Sequence, residues 1–194
     1  MGKKTTSAMC VLVVGLLAGC VAEGGDPVTE VAEPEAPAFH FASGTLELGE
    51  FDPDTLGDDL FDPCTEISAE EYAAAGMTGV EAVVSLWGES DGTTNSCEVD
   101  SEPGVTKIIT ATRTNESITR EALGDEVWNP ETGVPGLFVH QRSAVDPYAC
   151  YSQVDTRRGG ISVGVSVSGL KKNTEDPCGH AIEQLEILYQ TASA

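Results

Sequence analysis

A serine in the spacing of a hydrolase nucleophile is the first candidate for chemistry in this sequence. Residues 160–164 read Gly-Ile-Ser-Val-Gly, which matches G-x-S-x-G, a pattern that places Ser162 on a sharp strand-to-helix turn. Valines continue to alternate with small polar residues through Val167, so we expect Ser162 to point from the wet face of a strand. Neither His140, in strand-like sequence, nor His180, near a helix start, is placed by spacing as its base. The pattern therefore predicts no catalytic residue.

The cysteine at position 20 is the second candidate, and its chemistry is lipidation. Two lysines and an apolar run from Met9 to Ala18 precede it, which is the layout of a bacterial export signal over residues 1–19. The run is too short to span a bilayer, and its end, Leu-Ala-Gly-Cys at 17–20, resembles the lipobox of bacterial lipoproteins. The resemblance implies a diacylglyceryl thioether on Cys20, with palmitate-type acyl chains that hold the protein to the outer leaflet of the cytoplasmic membrane. The alternative is that Cys20 is a plain thiol after a secretory signal.

The other mature cysteines predict disulfides. Cys10 leaves with the signal, and an even set of four in an oxidising compartment indicates two bridges. The four lack the clustered spacing of a zinc site, so we predict no metal. Three pairings are open. Because two of the four follow Asp-Pro at a helix start and two lie in strand-like sequence, we pair like with like: Cys64 with Cys178, and Cys97 with Cys150.

Carboxylates dominate the segment that follows the lipobox. Between Val21 and Asp62 there are twelve acidic residues and no lysine or arginine, with prolines interspersed. Such sequence repels itself and buries little, so residues 20–60 are predicted to form a solvated tether. Its closely spaced aspartates, Asp52, Asp54, Asp58 and Asp59, lack the glycine-punctuated loop and distal glutamate of a strong calcium site. Within residues 38–50, alternating phenylalanines and leucines predict a strand that either docks as an edge strand or binds a partner as a linear motif.

Charge and length limit the classes of function. The 194 residues carry a formal charge of −22, with 32 acidic against 10 basic side chains, which excludes nucleic acid as a partner. Residues 61–194 are enough for a single domain with one core. Ser68 and Glu71 form a capping box that predicts a helix, strand-like segments follow, and residues 178–191 have helical spacing after Asp176 and Pro177. We therefore predict an α+β fold, in which an antiparallel sheet of about four to six strands is framed by an N-terminal and a C-terminal helix.

These motifs together resemble a known family. The chain is similar to actinobacterial lipoproteins of the family catalogued as domain of unknown function 3558. The resemblance rests on the lipobox, the acidic tether, the late Asp-Pro-Cys at 176–178 with Ala181 and Leu185, and these further residues: Phe61, Asp62, Pro63, Cys64, Glu70, Glu71, Gly76 and Cys97. It implies an envelope location and an α+β domain, and it assigns no catalytic residue.

The function expected from the sequence is non-catalytic. We expect a binding or accessory domain of the cell envelope, lipid-anchored on the extracytoplasmic face of the cell membrane, without a cofactor. An envelope protein or a small apolar ligand is the expected partner. The alternatives are an extracytoplasmic enzyme with an unrecognised site, and a sensor or stabilising subunit of a membrane protein. An apolar pocket would favour a ligand, whereas a flat apolar patch would favour a protein partner.

Overall fold

The computed structural model describes residues 36–83 and 93–193 of the chain. All described helices and strands belong to one compact unit, residues 35–194. The predicted signal peptide, the lipobox and Cys20 lie outside the described residues.

An antiparallel sheet is the centre of the fold. In the described residues it has seven strands in the order β3-β4-β5-β9-β8-β7-β6, and β1 and β2 form a separate two-stranded hairpin. The predicted α+β class and antiparallel sheet are confirmed; the sheet exceeds the predicted four to six strands because a two-residue strand lies at each edge. The strands are β1 Ala38–Phe41, β2 Gly44–Glu47, β3 Glu81–Ala82, β4 Thr94–Val99, β5 Val105–Thr112, β6 Val127–Trp128, β7 Phe138–Arg142, β8 Asp146–Thr156 and β9 Gly159–Val167.

Local capping signals set where the helices begin. Asp62 and Asp176 cap helices that start at a proline, and Ser68 and Glu71 form the predicted capping box. The helices are α1 Pro63–Glu66, α2 Ala69–Ala74, α3 Glu116–Leu123 and α4 Pro177–Ala192. Helix α3 was not predicted from the sequence, and it interrupts the predicted framing of the sheet by terminal helices.

One face of the sheet holds the main core. Helix α4 packs on this face, with Ala181, Leu185 and Leu188 almost fully buried, and each leucine contributes about 1.5–3 kcal/mol by leaving water. Gln184, also on α4, donates a hydrogen bond from Nε2 to the Ala75 carbonyl oxygen at 2.9 Å, which ties α4 to the end of α2. The sheet contributes a set of buried apolar side chains to this core: Val99, Ile109, Ala111, Val139, Val154, Ile161, Val163 and Val165.

The hairpin β1–β2 belongs to the folded domain. Phe39 is fully buried, and its ring meets Tyr189 of α4 edge-on at 5.2 Å between centroids. Phe41 stacks on Phe61 at 5.8 Å. The predicted tether over residues 20–60 is therefore wrong from residue 36 onward, and the domain starts before residue 61. The docking of residues 38–50 is confirmed, but they form their own hairpin, which pairs with the main sheet at an isolated bridge between Leu48 and Thr156.

The cysteines pair differently from the prediction. Cys64 is bonded to Cys97 and Cys150 to Cys178, so all four are oxidised as expected but the predicted partners are wrong. Sheet order explains the error: two strands, β5 and β9, separate β4 with Cys97 from β8 with Cys150. Three inter-strand spacings amount to about 14 Å, whereas bridged Cα atoms lie about 4.4–6.8 Å apart. Each strand cysteine is instead bonded to the helix that packs beside it.

Candidate functional site

The face of the sheet opposite α4 carries polar side chains in register. Ser96 of β4 lies opposite Thr110 of β5, Thr110 lies opposite Ser162 of β9, and Ser162 lies opposite Gln153 of β8. The hydroxyls of Ser96 and Thr110 are 3.0 Å apart and share a hydrogen bond. Because strand side chains alternate between faces, this row belongs to the face that the main core leaves free.

A cleft of about 460 Å³ lies over this polar row. Helix α3 lines it with Thr119, Ala122 and Leu123, and the sheet supplies the other wall. Its volume falls within the range of small-molecule sites. The sheet residues that line it include Ile108, Thr110, His140, Arg142, Tyr151 and Gln153.

Two glycines of β9 make room for the larger side chains of the cleft. Gly164 lies opposite Tyr151, and a Cβ atom on Gly164 would come within 2.7 Å of the tyrosine ring. A Cβ on Gly160 would come within 2.2 Å of the Gln153 amide nitrogen. Gln153 donates from that nitrogen to the Thr114 carbonyl oxygen at 2.7 Å, which fixes the side chain. The glycines therefore let Tyr151 and Gln153 lie close to the sheet surface.

His140 has an unpaired polar atom in the cleft wall. Its ring stacks between those of Phe138 and Tyr151, with centroids 6.1 and 5.2 Å away. The Nδ1 atom is buried and has no hydrogen-bond partner among the described residues. Burial, together with the positive charge of Arg142, lowers the pKa of His140 to about 4, so the imidazole is neutral at pH 7. A buried nitrogen without a partner costs free energy in the folded protein.

Helix α3 is held against the sheet by polar contacts at its N-terminus. The Asn115 side chain accepts a hydrogen bond from the Ile118 amide as N-cap. Asp155 of β8 accepts from the Glu116 amide at 2.9 Å, and burial raises the pKa of this carboxyl despite that bond. Arg120 pairs with Glu116 and donates to the Val127 carbonyl oxygen at 3.1 Å. The wall that α3 provides is thus anchored to both β8 and β6.

The cleft differs in charge from the rest of the chain. The protein has 32 acidic residues, yet none of the described residues that line the cleft is acidic. Arg142, which is exposed, is the charged side chain in that lining at pH 7. The cleft can therefore accept a neutral or an anionic ligand group without direct repulsion from its own wall.

Comparison with models of protein families shows which family the chain belongs to. A family model described as "Protein of unknown function (DUF3558)" matches residues 15–191, which include the hairpin, the sheet and all but the last residue of α4. This chain belongs to the DUF3558 family. The family resemblance seen in the sequence is therefore confirmed. Comparison with curated proteins and with solved structures finds no significant match.

The DUF3558 domain places Ser162 in the cleft floor rather than at a nucleophile elbow. The residue is in the middle of β9, is 5% exposed, and its hydroxyl lies 3.4 Å from the Thr110 carbonyl oxygen. The expected strand is confirmed, but the expected wet position is wrong because α3 and the cleft residues cover this face. His180 lies on α4, on the opposite side of the sheet, where its Nε2 is 2.9 Å from a Glu175 carboxylate oxygen.

Other residues considered in the sequence fall outside the cleft. Asp52, Asp54, Asp58 and Asp59 lie in the segment between β2 and α1. Within residues 36–83 and 93–193, no three His, Cys, Asp or Glu side chains are grouped so that they could hold a metal ion. In the same ranges, no helix has the length and apolar character needed to cross a membrane.

Sequence reasoning missed the cleft because its signal was split between strands. Threonines and serines on alternate positions of β5 and β9 indicate a polar face, and glycines among them indicate close approach of other groups. Neither feature shows which strands are neighbours. His140 and Tyr151, 11 positions apart, become partners only through the pairing of β7 with β8.

Proposed function

We propose that this DUF3558 protein is a lipid-anchored binding domain of the bacterial cell envelope, which holds a small ligand in the cleft between α3 and the polar face of the sheet. The observation that carries the proposal is the cleft itself, in which the polar row of the sheet lies beside the imidazole of His140 and the guanidinium of Arg142. The proposed role is binding, because Ser162 lies within strand β9, where its hydroxyl is 3.4 Å from the Thr110 carbonyl oxygen, and not on a nucleophile elbow.

The construction of the cleft supports binding by a preformed site. Its floor belongs to the centre of a seven-stranded sheet whose other face is the packed core. Packing or hydrogen bonds hold its side chains in place. The Tyr151 ring packs over Gly164, and Gln153 donates a hydrogen bond to the Thr114 carbonyl oxygen. A rigid site loses little conformational entropy on binding, which favours affinity for a small molecule.

The proposed anchor is a lipid on Cys20. The support is the lipobox and the apolar run before it, together with the two disulfides, which are typical of an oxidising compartment outside the cytoplasm. Two or three acyl chains on one residue would hold the protein firmly to the outer face of the cytoplasmic membrane. An actinobacterial source is part of the same proposal.

Binding in the cleft can be tested with three alkyl probes of equal length: octanoate, octan-1-ol and octylamine. Each is titrated into the mature chain carrying Cys20→Ser, and backbone amide shifts are followed by NMR. At least one probe should shift amides of β5, β8 and β9. Ala122→Trp, at an exposed position of α3 that lines the cleft, should abolish those shifts by filling the space. Glu121→Trp, its exposed neighbour outside the lining, is the matched control and should leave them unchanged. If all three probes fail to bind, or bind equally well to Ala122→Trp, the proposed site is wrong.

The anchor is tested by metabolic labelling with radioactive palmitate in a bacterial host that processes lipoproteins. The wild-type chain and the Cys10→Ala variant should incorporate label and sediment with membranes. Cys20→Ala should lose both the label and the membrane association. Label that persists in Cys20→Ala, or that disappears in Cys10→Ala, would contradict lipidation at Cys20.

A further inference from the structure

The absence of carboxylates from the described cleft lining is unusual for so acidic a chain. About one residue in six of the sequence is acidic, yet the described lining contains hydroxyls, an amide, an imidazole and one guanidinium as its polar groups. Carboxylates elsewhere on the surface repel anions, whereas the described lining itself adds no such repulsion. The charge pattern separates the cleft from the rest of the domain.

Arg142 and His140 mark the end of the cleft where a negative group fits best. Both lie on β7 and line the cleft, and the positive charge of Arg142 contributes to lowering the pKa of His140. Arg142 presents guanidinium donors that suit carboxylate and phosphate oxygens. His140 lies beside Arg142 in the lining and is neutral at pH 7, so Arg142 supplies the positive charge at this end of the described lining.

The remainder of the cleft offers an apolar surface. Ile108 on β5 and the side chains of Ala122 and Leu123 on α3 face the same space, and the Tyr151 ring lies between Ile108 and His140 in the row across the sheet. A hydrocarbon body placed there leaves water, at about 25 cal/mol for each Å² buried. A ligand with a single polar end would therefore satisfy both parts of the cleft.

We infer that the ligand of this cleft is an amphiphile with one anionic group, a carboxylate or a phosphate, seated at Arg142 and His140, and an apolar body lying on Ile108 and Leu123. The inference rests on the proposed binding function and names its ligand class. A free organic acid and the head of a lipid share this chemistry. In either case the exposed guanidinium of Arg142 leaves the anionic end near solvent, while the apolar body enters between α3 and the sheet.

The three alkyl probes measure this preference directly, because they share an eight-carbon chain and carry an anionic, a neutral or a cationic head group at pH 7. At pH 7 and low salt, octanoate should bind about tenfold more tightly than octan-1-ol, and octylamine should bind more weakly than either. Acetate and inorganic phosphate, which lack the body, should bind at least about tenfold more weakly than octanoate and octyl phosphate, respectively. Equal affinity of acid, alcohol and amine would overturn the inference while leaving the binding function intact, whereas failure of every probe would remove both.

Two variants test whether Arg142 causes the preference for an anionic head group. Arg142→Gln should reduce octanoate affinity about tenfold and leave octan-1-ol affinity unchanged, since only the charged head loses a partner. Lys172→Gln removes one positive charge from an exposed residue outside the lining and is the matched control, with both affinities as in the wild type. An equal loss in the two variants would mean that net charge governs affinity, and the inference would fail. Tighter binding of octyl phosphate than octanoate would favour a lipid phosphate as the source, and the reverse a free acid.

Discussion

The ring of Tyr151 occupies the space that a side chain at Gly164 would need. The two residues lie directly opposite each other on β8 and β9, and a Cβ atom at Gly164 would be 2.7 Å from the ring and 2.9 Å from Ile108. The glycine therefore determines how closely the tyrosine approaches the sheet, and with it the depth of the cleft beside His140.

The first prediction tests this contact by Gly164→Ala. The added methyl group must displace the Tyr151 ring, so the free energy of unfolding should fall by about 1–3 kcal/mol. In a Tyr151→Ala background the same substitution should cost clearly less, because the larger of the two clashes is gone. Urea unfolding of the four proteins of this double-mutant cycle measures the coupling. Strict additivity would show that ring and glycine do not compete for space.

The second prediction concerns the pH dependence of stability through His140. Its pKa in the folded protein is about 4, below the ordinary value of 6.5, so the unfolded chain binds more protons between these values. This contribution to the free energy of unfolding is fully present above pH 6.5. It falls by about 3 kcal/mol as the pH is lowered to 4. Unfolding of the wild type and of His140→Gln between pH 7.5 and 4.5 checks it, and the variant should lose less. Glu66 is one carboxyl that affects stability at lower pH in both proteins. Burial alone would raise its pKa, but hydrogen bonds from Arg158 and the Asp62 amide lower it overall. Parallel curves would contradict the role given to His140.

The third prediction separates the two cysteine pairings. In the mature protein, the double variant Cys64→Ser/Cys97→Ser should contain no free thiol among the remaining domain cysteines, because Cys150 and Cys178 stay bonded. The combination Cys64→Ser/Cys178→Ser should leave two. Thiol labelling in denaturant counts the free thiols. Two free thiols in the first variant and none in the second would instead support the pairing of Cys64 with Cys178 and of Cys97 with Cys150. Loss of either bridge should reduce stability by about 3–4 kcal/mol in the chain-entropy model, for loops of 33 and 28 positions.

The fourth prediction tests whether the hairpin is part of the domain. Phe39 is fully buried against Tyr189, so Phe39→Ala should lower the free energy of unfolding by about 3–5 kcal/mol. The matched control is the exposed neighbour His40, whose Nδ1 lies 3.3 Å from the Thr45 hydroxyl; His40→Ala should change stability by less than about 1 kcal/mol. Thermal or urea unfolding measures both. Near-equal stability of the two variants would show that the hairpin belongs to the tether and does not contribute to the domain.

Local signals in the sequence were sufficient to predict several helices and strands of the domain. The capping box of Ser68 and Glu71, and Asp176 before Pro177, act within a few residues, so the helices they begin could be read directly. Alternation of valines with small polar residues identified β9, because a strand turns successive side chains to opposite faces. Helix α3 escaped notice since its eight residues are mostly polar and its stability comes from contacts with β8 and β6.

The order of the strands in the sheet determined which residues that are distant in the sequence come into contact. The sequence alone determined the fold class, the family resemblance and the oxidised state of the four domain cysteines. Only the tertiary structure decided that Cys97 bonds to Cys64, and that His140, Tyr151 and Ser162 share one cleft under α3. The physical reason is that periodicity shows which face a side chain takes, whereas strand pairing is a long-range choice made by the packing of the whole core.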